Sequence, residues 1–209
     1  MHSTTKPVSP DQIVNQALDK QRIVITGTRG TLPLSALLIH VLKYYDRPVD
    51  YVISVPAHGI SQPTSLSNAP IIIIEAQADQ MIKYNHHVGL ITNILWNSTK
   101  EFPNEEDFVK QYDSFADNTP KGGILLYCEN DPLALLTGSK ARADVNGVGY
   151  AIHPHTSESG KHFLTSGKDR IPVALFGSQN FQNISGAKEL LKRLGITYEM
   201  FYKAIPTFG

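Results

Sequence analysis

The sequence predicts an α/β fold: a mainly parallel, P-loop-like sheet flanked by helices, with a small antiparallel hairpin subdomain in the last third. Three observations carry this. Ile71-Ile-Ile-Ile74 is a continuous β-branched run, the pattern of a strand covered on both faces. Strand and helix patterns alternate through the first two-thirds, which implies right-handed crossovers and parallel strands. Between the first strand and its helix lies Gly27-Thr28-Arg29-Gly30, a turn whose two glycines let the backbone approach an oxyanion at a helix N-terminus.

Met1 to Ser9 is expected to be a mobile leader, and residues 10–209 a single domain. Pro10 to Asp19 reads as a short amphipathic helix, with Ser9 as N-cap and Pro10 at the first helical position. Arg22 to Thr26 is the first strand, and the helix from Pro33 to Tyr44 follows the glycine turn with an apolar stripe. Val49 to Val55 is a second strand, followed by a Gly/Pro/Ser/Asn-rich loop from Pro56 to Pro70. Ile71 to Glu75 and Val88 to Ile94 are further strands. Glu105 to Phe115 is a helix whose acidic opening suits its positive end. Gly123 to Tyr127 adds a buried strand, closed by Glu129-Asn-Asp-Pro132. Asp144 to Ile152 and Lys161 to Thr165 read as short strands joined by His153 to Gly160 into a hairpin. Ile171 to Phe176 is a last strand, Gln182 to Leu194 a helix stopped by Gly195, and the tail holds one more short helix.

The 209 residues suit one domain, and 41% hydrophobic content supplies a sizeable core. Nineteen Lys and Arg balance nineteen Asp and Glu, so no net field draws in nucleic acid or a membrane surface. No basic run with interleaved aromatics marks a nucleic-acid binder. No apolar run is long enough to span a bilayer, and the polar start lacks a signal-peptide core, so cytoplasmic residence is the expectation. Cys128 is the only cysteine, which excludes a disulfide framework and points to an inert core thiol.

The glycine turn has the outline of a phosphate loop without its chemistry. A P-loop needs a lysine at the helix start to neutralise phosphate and a hydroxyl beside it to hold Mg²⁺. Those places are Thr31 and Leu32. Gly27, Thr28, Arg29, Gly30 and Thr31 remain candidates for nucleotide or phosphate binding, with the Arg29 guanidinium starting from a neighbouring point on the loop. Glu75 is a weak metal candidate; with Leu32 where the metal-holding hydroxyl belongs, an acid at a strand's solvent-facing end is the plainer reading. His86-His87, and His153 and His155 with His162, invite a metal reading. No cysteine or acidic cluster accompanies them, and exposed hairpin imidazoles are the plainer reading of the last three. Ser178 sits in no nucleophile elbow.

In order along the chain, several segments resemble the central domain of the Mur ligases, ATP-dependent enzymes that add amino acids or peptides to UDP-N-acetylmuramate. The resemblance is strongest to the muramate–alanine and murein-tripeptide ligases. Gly27-Thr-Arg-Gly-Thr-Leu-Pro33 stands where the family has Gly-Thr-His-Gly-Lys-Thr-Thr. Ile71 to Asp79 resembles its strand ending in Glu-Ala-Asp-Glu, and Gly89 to Ser98 its Thr-Asn-Ile-Glu-Trp-Asp-His segment. Glu129-Asn-Asp-Pro132 and Phe176 to Asn183 resemble its Asn-x-Asp-Asp-Pro and Gly-Arg-His-Asn-x-x-Asn regions. The likeness runs from about Ser9 to Gly209.

The resemblance implies roles residue by residue. Asn93, Asn180 and Asn183 become nucleotide-site candidates, the two late asparagines on the base side; Glu75 would face the metal, Asp131 is kept, and Trp96 is packing. The departures fall on the chemistry: Thr31, Leu32, Ala78, Asn97, Ser98 and Gln179 replace the charged, hydroxyl or metal-arranging residues of the family. ATP and Mg²⁺ are the implied cofactors, with their grip weakened. The family's UDP-binding and amino-acid-binding domains are expected to be absent. Two functions stay open: a degenerate binding or interaction module of peptidoglycan metabolism, partnered by a cell-wall enzyme or a second copy, and the ATP-binding part of a ligase whose other domains lie on separate chains. A sensor of UDP-sugars or another anion is a third.

Overall fold

The computed structural model of the protein describes residues 9–140 and 142–209, so all but Ser9 of the leader expected over Met1 to Ser9 lies outside the described residues. β1 (Gln21–Thr26) forms the middle of a seven-stranded sheet. It pairs in parallel with β4 (Ile71–Ala76) on one side and β5 (Val88–Ile91) on the other. Beyond β4 lie β2 (Asp50–Val52) and the two-residue antiparallel β3 (Thr64–Ser65); beyond β5 lie β6 (Ile124–Cys128) and β7 (Asn146–Tyr150), both parallel. The predicted fold class holds.

Successive strand residues point to opposite faces, and both faces here are dry. Ile23, Ile25, Ile73 and Leu90 face one core, which is closed by α2 (Thr31–Tyr44), α5 (Ser178–Arg193) and α6 (Tyr198–Ala204). Val24, Ile72, Ile74 and Ile91 face the other, closed by α1 (Pro10–Gln16), α3 (Glu105–Asp117) and α4 (Pro132–Gly138). That double coverage is why Ile71 to Ile74 reads as a continuous apolar run. Local caps match the sequence. Ser9 and Gln12 form a capping box on α1, Asn104 caps α3, and Asp131 caps α4. Helix α2 has no side-chain cap; its N-cap is Gly30, at φ 82°.

The last third departs from the expected pairing. Asp144 to Ile152 does not form a hairpin with Lys161 to Thr165: its strand, β7, joins the main sheet beside β6. The hairpin partner of β9 (Lys161–Ser166) is β8 (His155–Glu158), and β10 (Asp169–Val173) completes a separate antiparallel sheet. Strand β8 is exposed throughout and carries no apolar alternation to announce it. Helix α4 and strand β3 were not expected either; each is short.

At the amino end of β5, His86 is 2% exposed, stacks on Phe115 and pairs its Nε2 with Thr119 Oγ1 at 2.9 Å. Burial pulls its pKa down to about 4. The unfolded chain therefore takes up a proton below about pH 6.5, while the folded protein resists until about 4. Stability should fall across that window by on the order of 3 kcal/mol and level off below it. His40, His87 and His153 are lowered in the same direction, mainly by burial. Urea unfolding near neutrality and in mild acid should show the loss, and His86→Gln should remove the largest part of it.

Candidate functional site

The carboxyl ends of β1, β4 and β5 converge where the strand order reverses, the crevice at which open α/β sheets place ligands. The loop from Gly27 to Gly30 lies there. Both glycines are required by geometry. Gly27 sits at φ 144°, and a Cβ on it would overlap the Thr92 hydroxyl. A Cβ on Gly30 would lie 2.7 Å from Asn183 Oδ1 and 2.9 Å from Gln179 Nε2.

The loop is bound to the segment that follows β5. Thr28 N and Arg29 N both donate to Asn93 Oδ1, at 3.1 and 3.0 Å, and Asn93 Nδ2 donates back to Arg29 O at 2.8 Å. Thr92 Oγ1 donates to the same Arg29 carbonyl at 2.8 Å, and Thr28 Oγ1 meets the backbone of Leu95. Asn93 is 4% exposed and spends its amide on the loop, occupying two of the N–H groups an anion would use.

Thr31, the first residue of α2, donates its hydroxyl to Glu75 Oε1 at 2.7 Å, and Ser54 N donates to Glu75 Oε2 at 2.7 Å. Glu75 is therefore no bare acid at a strand end: both carboxylate oxygens tie β4 to neighbouring elements, and a hydroxyl that the sequence placed at the lysine position does half of it. Leu32 packs against the core. The Arg29 residue is exposed.

The late asparagines separate. Asn183, 2% exposed, accepts from Gln179 Nε2 at 3.2 Å, while its own Nδ2 has no partner among the described residues. Asn180 donates to the Phe176 carbonyl at 2.7 Å. Asn183 thus stands beside Gly30, whereas Asn180 is engaged in its own helix's first turn. Asp131 caps α4 and also accepts from Ile94 N at 3.3 Å, steadying the segment after β5. Trp96 is 37% exposed, with its indole N–H on the Phe102 carbonyl, so its packing is partial.

The histidines each have protein partners, and His153, expected on an exposed hairpin, is 1% exposed because it packs under α6. His153 contacts Tyr202 and the Pro154 carbonyl, His155 stacks on Phe181, His162 pairs with Ser157, and His87 Nδ1 accepts from Arg22 N. Among the described residues no group of three or more His, Cys, Asp or Glu side chains stands together as a metal centre would. Cys128 is buried and its thiol pKa is pushed up by burial.

A cleft of about 380 Å³ opens against Gly27, Thr28 and Thr31. Its wall includes Phe108 and Tyr112, one turn apart on α3, and the Tyr112 phenol is pushed up to about 12 by burial. The sequence reading missed this wall and the clamp residues Thr92 and Ser54. The Phe108–Tyr112 spacing was the available signal, and core packing explained it equally well.

No protein-family model matches the chain. Over 199 residues it is 21% identical to the UDP-N-acetylmuramate–L-alanine ligase of Arthrobacter sp. strain FB24, covering 90% of this chain and 43% of that protein. The UDP-N-acetylmuramate:L-alanyl-γ-D-glutamyl-meso-diaminopimelate ligase of Neisseria meningitides superposes with a TM-score of 0.76 at 16% identity, over 96% of this chain and 70% of that one. The fold is that of a Mur ligase central domain. The UDP-N-acetylmuramate–alanine ligase of Thermotoga maritima agrees, with a TM-score of 0.74 at 15% identity over 95% of this chain and 47% of its own. The Mur-ligase-like chain therefore spans less than half the length of the first of these relatives. No helix among its described residues is long and apolar enough to cross a membrane.

Proposed function

We propose that this Mur-ligase-like domain does not ligate and serves as a binding or interaction module of peptidoglycan metabolism. One observation carries the proposal: the Thr31 hydroxyl, at the position where phosphate calls for an ammonium, is bonded to Glu75. A hydrogen bond to a charged group contributes about 1.5–3 kcal/mol, and this loop start offers no such cation. Asn93 adds to the deficit by taking the Thr28 and Arg29 amides. Mg-ATP fits these residues poorly.

A second reading is the ATP-binding part of a ligase whose other domains lie on separate chains; the match to 43% of the Arthrobacter enzyme fits it equally. On that reading the exposed Arg29 takes over charge neutralisation. Titration calorimetry and a phosphate-release assay with Mg-ATP separate the two. The expected result is neither tight Mg²⁺-dependent binding nor turnover by the natural sequence. Thr31→Lys with Leu32→Thr should raise Mg-ATP affinity by roughly tenfold or more. Turnover by the unaltered protein, lost in Thr31→Ala or Glu75→Gln, would refute the non-ligating reading.

A further inference from the structure

The cleft beside the glycine loop has a charge opposite to that of a phosphate site. Asp79 and Glu101 line it together with Leu95, Phe102, Phe108 and Tyr112, and no lysine, arginine or histidine does. Neither Asp79 nor Glu101 makes an ion pair among the described residues, and both residues are exposed. The aromatic rings form a continuous wall: Phe102 meets Phe108 edge-on at 5.3 Å between centroids, and Phe108 meets Tyr112 at 5.2 Å. The volume of about 380 Å³ falls in the small-molecule range of about 300–1,000 Å³.

We propose that this cleft binds a small organic cation, a primary ammonium on an apolar stem, with Asp79 and Glu101 receiving the charge and Phe102 and Phe108 the stem. A triphosphate entering here meets two carboxylates and no base. An ammonium meets two acceptors, and an apolar stem meets the half-buried Phe102 ring backed by Phe108, which is 8% exposed. The chain's formal charge is zero, so no general field collects cations, and selectivity for one would be local to the cleft. The proposal deepens the non-ligating reading and rests on it: carboxylates beside a bound triphosphate serve Mg²⁺, and with no Mg-ATP held at the loop Asp79 and Glu101 are left to an organic cation.

Cadaverine is the test probe, with glutarate as its anionic counterpart of equal chain length and inorganic tripolyphosphate as the phosphate control. Calorimetry and thermal shift are run at low and physiological ionic strength. Cadaverine should bind one-to-one and raise Tm, and the two anions should do neither. Asp79→Asn with Glu101→Gln should weaken cadaverine by about tenfold or more without lowering the unliganded Tm, since neither carboxylate supports the fold. Phe102→Ala should weaken it as well. No saturable cadaverine heat, equal binding of glutarate, or unchanged affinity in the double variant would overturn the proposal. Mg-ATP is titrated into the same preparation: failure of cadaverine with no ATP binding removes this proposal alone, and failure of cadaverine with tight ATP binding removes the non-ligating reading too.

Discussion

Gly27→Ala should destabilise the protein by about 3–5 kcal/mol and release the loop from the segment behind it. Two independent costs add. At φ 144° an alanine occupies a backbone region that L-residues rarely enter. Its Cβ would also fall within the Thr92 hydroxyl and 3.1 Å from the backbone N and O of Asn93. Thr92 cannot swing aside freely, because it bonds to Arg29 O and Thr26 O. Gly27→Ala combined with Thr92→Ala should therefore recover part of the loss and not all of it, since the backbone term remains. Chemical denaturation of the four proteins of this cycle measures both terms. Near-neutral behaviour of Gly27→Ala would show that the loop does not adopt this conformation.

Asp50→Ala should cost a similar 3–5 kcal/mol, because it strands a buried ammonium. Lys20 is 5% exposed at its side chain and Asp50 not at all, and they lie 3.2 Å apart. The Lys20 ammonium also donates to the carbonyls of Ser67 and Ala69 at 2.8 and 2.7 Å, and Asp50 Oδ1 accepts from Ser67 Oγ. The pair thereby pins the end of the loop before β4 to the amino ends of β1 and β2, across the sheet from the candidate site. Lys20→Met alone should be as damaging, since it strands the carboxylate. Lys20→Met with Asp50→Leu should cost less than Lys20→Met or Asp50→Leu alone, as two apolar residues leave no unpaired charge. Additive losses would contradict the pairing.

Much of the fold was legible because local patterns and tertiary environment agree. The run from Ile71 to Ile74 announces a strand buried on both faces, and the structure buries it so. Ser9 and Pro10 announce a helix start, and the structure adds Gln12 to close a capping box. The pairing of the last third was not legible. His155 to Glu158 is a polar, exposed strand with no periodicity to mark it, and β7 pairs with β6 at the edge of the main sheet. Helix α4 spans seven residues, too few to show a 3.6-residue stripe. At the site, the tight turn from Gly27 to Gly30 was legible, since glycine suits the positive φ that both ends of it adopt. That Asn93 fills two of its amides was invisible, because the partners lie 64 and 65 residues apart.

By itself the sequence determined the alternation of strands and helices, the two-glycine turn and the absence of lysine between Gly27 and Leu34, because these depend on residue type and short-range spacing. Only the tertiary structure decided that Thr31 reaches across to Glu75, that Asn93 closes on the loop, and that the neighbouring cleft is acidic and aromatic. Those contacts join separate strands and helices, and which side chains meet depends on how the parallel sheet brings their carboxyl ends together.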